Sequence, residues 1–159
     1  MTAKETRGAA SVLIVVWLPV LLVVAALVVD AGILFVAKYQ FQAAVDLAAL
    51  SAVQSVEWEL LGEGVVQINE EDAVFYADDY LSANTSSLLD ANPETLKVWV
   101  VNATEEQPLE HPLSGKDLEH PTVIIQSEMK GPASVFDSWL TPLVLSAEAD
   151  ASIRPRTRP

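Results

Sequence analysis

The chain has 159 residues, 22 acidic against 9 basic side chains, a net charge of −13 and no cysteine. So acidic a chain lacks the basic surface that displaces counterions from nucleic acid, and it disfavours docking on anionic lipid. Disulfides, thiolate metal sites and cysteine nucleophiles are excluded, and the length supports one anchor with at most one small domain.

Residues 1–8 read as a short polar cytoplasmic tail carrying Lys4 and Arg7. Residues 9–29 hold no charged side chain. At about 1.5 Å rise per residue they cover roughly 30 Å, the hydrocarbon thickness of a bilayer. Residues 9–37 are therefore assigned as a transmembrane helix, with Pro19 tolerated inside it. The run exceeds the roughly 7–15 apolar residues of a cleaved signal peptide, so a retained signal-anchor is expected. Lys4 and Arg7 precede the span, and Lys38 alone follows it closely. The positive-inside rule then puts the N-terminus in the cytoplasm and residues 38–159 outside. Asp30, Lys38 and Tyr39 mark the membrane boundary, with Asp30 a hydrated carboxylate at the interface and Tyr39 and Phe41 amphipathic anchors.

The helix is expected to continue to Trp58 or Leu61 and to stop at Gly62 and Gly64. Ala44, Ala48 and Ala52 recur every four residues, a spacing that lets two helix backbones approach closely. They make a helix-packing face, either toward a helix of another subunit or toward the chain's own sheet. Asp46 interrupts that face.

A second helix starts after Asn69, a good N-cap followed by Glu70, Glu71 and Asp72, and runs to about Ala83. Val74, Ala77 and Leu81, with Phe75 beside them, form its expected apolar stripe. Residues 84–94 read as a loop. Strands are expected over 96–101, 122–129 and 143–153, and a short helix or turn over 134–140. Between the first two strands, residues 105–121 contain Pro108, Pro112, Gly115 and Pro121 and read as an exposed connection. That connection repeats Leu-Glu-His-Pro at 109–112 and 118–121. Glu110, His111, Glu119 and His120 are ligand types for zinc, but their spacing fits no metal signature, so no metal is assigned. Asn84 and Asn102 sit in glycosylation-acceptor triplets, read as chance matches. No arrangement of nucleophile, base and acid appears, so no enzyme, cofactor or small-molecule substrate is expected.

The string R-G-A-A from Arg7, the span with Pro19, V-V-D-A-G at 28–32 and Q-F-Q-A-A-V-D-L-A-A-L-S-A at 40–52 resemble the TadE/TadG-like family of tight-adherence (Flp) pilus assembly. The terminal S-A-E-A-D-A-S is similar to the end of its short members. The resemblance implies a pilin-like α+β fold, with the transmembrane helix continuing into a long helix packed on a small antiparallel sheet. It implies a non-catalytic accessory role in that assembly or a related secretion system. The expected partners are the bilayer and other pilin-like subunits or the assembly platform. It also implies cleavage after a glycine, a place that Gly8 fills, with a glutamate five residues on. Leu13 stands there instead, which speaks against an ordinary processed fibre subunit. The alternative from another class is a membrane-tethered domain that binds an envelope ligand.

Overall fold

Helix α1 (Ala3–Ala52) starts well before the apolar run, because Ala3, Lys4 and Glu5 are themselves good helix formers. Gly8 thus lies within a helix and not in an unstructured tail. The computed structural model describes residues 3–89, 93–132 and 143–154, with side chains from residue 12 and, around the first gap, to residue 86. The turn or helix expected over 134–140 and the terminal residues from 155 lie outside these.

α1 ends at Ala52, earlier than expected, and a separate short helix α2 (Trp58–Gly62) follows. The reason is tertiary. Val56 pairs with Ile68 in an isolated β-bridge, and Asn69 N–H donates to the Ser55 carbonyl at 2.7 Å. Asn102 closes this knot: its Oδ1 accepts from Ile68 N–H at 2.8 Å and its Nδ2 donates to the Ile68 carbonyl at 3.0 Å. Those bonds, unavailable to a continuing helix, draw residues 53–57 out of it. The glycine stop does operate, on α2. Gly64 takes φ +87°, and Gly64 N–H and Val65 N–H donate to the carbonyls of Leu61 and Leu60, a Schellman closure.

Helix α3 (Glu70–Leu89) is capped by Asn69, whose Oδ1 accepts from Asp72 N–H at 3.0 Å. It continues through 84–89, where a loop is expected, with Thr85 buried and its hydroxyl donating to the Leu81 carbonyl at 2.8 Å. Its buried stripe is Ala73, Ala77, Leu81 and Thr85: Ala77 and Leu81 are as expected, Ala73 stands in place of Val74, and Val74 and Phe75 are exposed. Alanines on both helices bring α1 and α3 close enough for Ser51 Oγ to reach the Tyr76 carbonyl at 3.4 Å.

Three antiparallel strands, β1 (Pro93–Val101), β4 (Thr122–Lys130) and β5 (Val144–Ser152), form a sheet in the order β1-β4-β5. Each is close to its expected position, with β1 beginning earlier, at Pro93, a residue that an edge strand accepts at its start. One face of the sheet, with Val98, Val100, Val123, Ile125, Met129 and the β5 alanines 147, 149 and 151, packs with α1 and α3 around one core. Small side chains along β5 let α1 approach it, and Gln42 Nε2 donates to the Glu148 carbonyl at 2.7 Å.

The expected exposed connection is in fact a β-hairpin. β2 (Leu109–Glu110) and β3 (Asp117–Leu118) pair, so that the two repeated leucines stand opposite each other. Gly115 at φ +66° turns the chain between them.

Candidate membrane anchor and helix face

One helix runs through two environments. An 18-residue stretch of α1 has mean hydropathy 3.2 with none of it buried, which makes the helix long and apolar enough to cross a membrane. From Asp30 onward one side becomes buried, through Ala37, Phe41, Ala44, Val45, Ala48, Ala49 and Ala52. At 3.6 residues per turn these lie along one face.

Asp30 departs from its expected hydrated state. It is 7% exposed, between Val29 and Ala31 on an otherwise exposed stretch, and its carboxylate is not left without a partner. It falls on the same side of the helix as Ala37 and Phe41, the side that the domain covers. The sheet end reaches the same level, since a Cβ at Gly131 would meet Leu34 Cδ2 at 3.7 Å. Lys38 and Tyr39 are both exposed.

Ala44, Ala48 and Ala52 are 1%, 0% and 0% exposed and belong to the chain's own core. They are a helix-packing face toward α3 and the sheet, and burial takes them off the surface that another subunit could touch. The outward face is a different series that the sequence reading missed: Phe35, Tyr39, Leu47 and Leu50, at 74%, 73%, 49% and 53% exposure. With exposed Ala43 between them, they follow the opposite side of α1. The signal was available. This helix is apolar on both sides below residue 30, whereas a helix serving only its own core shows one apolar face. Asp46 is exposed and accepts from Gln42 Nε2 at 3.0 Å, so it steadies the side chain that reaches β5.

The Leu-Glu-His-Pro histidines do not come together as a ligand set. Instead His111, 4% exposed, meets Asp150 on β5, Nε2 to Oδ2 at 3.5 Å, with Glu148 nearby. Its Nδ1 accepts from the backbone N–H groups of Leu113 and Ser114, each at 3.1 Å. A nitrogen accepting two N–H bonds carries no proton, so the ring proton sits on Nε2 and points at the acids. A metal at Nε2 would need the other tautomer, with the proton on Nδ1, and would forfeit both of those N–H bonds. The geometry therefore serves to clamp the hairpin to β5, and fits a cation poorly. His111→Ala leaves two N–H groups without their acceptor and is expected to lower stability by about 1–3 kcal/mol. Thermal melting of the full chain in micelles reads this, and an unchanged Tm would refute the clamp.

The two acceptor-type asparagines are used internally. Asn84 Nδ2 donates to the Tyr80 carbonyl at 2.6 Å within α3, and Asn102 holds Ile68.

Residues 8–55 match the family described as "Putative Flp pilus-assembly TadE/G-like". No curated protein and no solved structure matches the chain. The match starts at Gly8 and ends beside Ser55, where α1 gives way to the knot with Ile68 and Asn102. The exposed apolar helix and its packed continuation, though not the sheet beyond them, are thus the part of this chain that is similar to the TadE/G-like family of Flp pilus assembly.

Proposed function

We propose that the protein is a non-catalytic, membrane-anchored, pilin-like accessory component of Flp pilus assembly, or of a related secretion system. In this reading residues 38–159 lie outside the membrane and the N-terminus inside. The protein works by offering the outward face of α1 to the helices of other pilin-like subunits or of the assembly platform. One observation carries the reading: Phe35, Tyr39, Leu47 and Leu50 stay exposed on a helix whose other side its own domain has already filled. Large apolar residues contiguous with a membrane span and left outside the core mark a protein or membrane contact.

The chain has no cysteine, so a single one introduced at Ala43 or Leu47 is the only thiol to react. Crosslinking in native membranes is expected to trap pilin-like subunits or platform proteins from these positions. It is expected to trap none from Asp79, on the far helix. Equal capture from both helices, or capture of a soluble ligand alone, would sink the proposal.

A further inference from the structure

We propose that the end of the sheet where β4 gives way to β5 is a second membrane contact, seated among the lipid headgroups beside the span. The inference rests on the anchoring and orientation read above, and not on the pilus role. Height is its first support. Residues 9–29 hold no charge, and at about 1.5 Å per residue they fill the roughly 30 Å hydrocarbon core. Beyond that core lies a headgroup layer of about 5–7 Å. Leu34 stands four residues past Asp30, about 6 Å along the helix axis and so within this layer. Gly131 reaches the same level, since a Cβ there would lie 3.7 Å from Leu34 Cδ2. Its N–H donates to the Leu143 carbonyl at 2.7 Å, which brings the approach to β5 down with it.

Composition is the second support. Leu143 and Val144 are 51% and 52% exposed, although they belong to a strand whose other apolar residues are buried. Pro132, half-buried, lines an open groove of about 510 Å³ against α1, together with Val29, Gly32, Ile33 and Val36. No charged side chain lines this groove among the described residues. The acids of a chain with net charge −13 are kept away from this end. Across 129–132 and 143–147 the one charged residue is Lys130, and across 31–45 it is Lys38. Both lysines are exposed. The joining residues 133–142 continue the pattern in sequence, with Val135, Phe136, Trp139 and Leu140 against a single charge, Asp137.

These features commit the surface to lipid. Exposed large apolar residues contiguous with a span mark a protein or membrane contact, and the neighbouring cations decide between them. An apolar protein helix laid here would have to cover Lys38 and Lys130 or pair them. The headgroup layer asks for neither. A lysine runs its methylene stem along apolar surface and keeps its ammonium at the level of the lipid phosphates. Leu143, Val144 and the groove meanwhile meet the upper part of the acyl chains. The surface is locally basic and apolar on a domain that is elsewhere acidic, which is the pattern of an interfacial contact.

The test places one nitroxide label at a time on the full chain in phosphatidylcholine vesicles, through Leu143→Cys, Val144→Cys, Val23→Cys in the span and Asp117→Cys on the β2–β3 hairpin. Collisions with oxygen, which concentrates in lipid, are compared with collisions with a water-soluble nickel chelate. The ratio of oxygen to chelate collisions at 143 and 144 is expected several-fold above that at 117 and below that at 23. Near-ultraviolet circular dichroism of each labelled protein checks that the domain is folded. A ratio at 143 and 144 equal to that at 117, with 23 in lipid, overturns the proposal and leaves the anchor standing. Labels at 143 and 144 shielded from both reagents overturn it too, by giving the surface a protein cover. A label at 23 open to the chelate removes the anchor itself, and the proposal with it.

Discussion

Phe41→Ala is expected to cost about 3–5 kcal/mol, the range for truncating a fully buried aromatic side chain. Phe41 is 0% exposed, one turn beyond Ala37 and just ahead of the alanine stretch. Set against a typical total stability of about 5–15 kcal/mol, such a loss brings the domain close to unfolding. Urea titration of the full chain in micelles, followed by near-ultraviolet circular dichroism, should show a midpoint far below wild type. The apolar part of α1 should remain helical, since no residue of that stretch leans on the domain. A midpoint near wild type would show that α1 and the sheet do not pack as described.

The second large effect separates two neighbours. Ala48→Leu adds bulk where α1 is 0% exposed, and overpacking of this kind costs about 1–3 kcal/mol. Leu47→Lys changes a residue 49% exposed on the outward face, where substitutions stay within about 0.5 kcal/mol. The first should lower Tm; the second should hold Tm and lose the crosslinks to pilin-like partners. If Leu47→Lys kept those crosslinks while Ala48→Leu lost them at unchanged Tm, the assignment of inner and outer faces would be reversed.

How far the sequence reached can be argued from particular residues. β5 was legible because LVLSAEADASI alternates as a half-buried strand does, and β4 because TVIIQSEM opens on a β-branched apolar run. Asn69 announced α3 through its own cap chemistry, which is local. The end of α1 was not legible: nothing in residues 53–57 breaks a helix as strongly as their pairing with 67–69, and that pairing depends on Asn102, far along the chain. In the α3 stripe Ala77 and Leu81 were legible and the first position was not, because Val74 is the more apolar residue, yet Ala73 is the one small enough to face α1. The alanine face of α1 was found, and its direction was not. Small spacing permits close approach, but it does not say to which neighbour. The His111 clamp was invisible for a related reason, since its partner Asp150 lies on another strand.

α1 carries no interruption between the exposed apolar stretch and the packed stretch, and Asp30 sits at the change from one to the other. The domain is therefore mounted on its anchor as a head on a shaft, without a joint. Each residue of helix advances the azimuth by about 100°, so the heading of every domain surface is phased to the residues inside the bilayer. Twisting or tilting the span within a crowded membrane turns the outward helix face with it. The anchor then acts as the domain's compass as well as its tether.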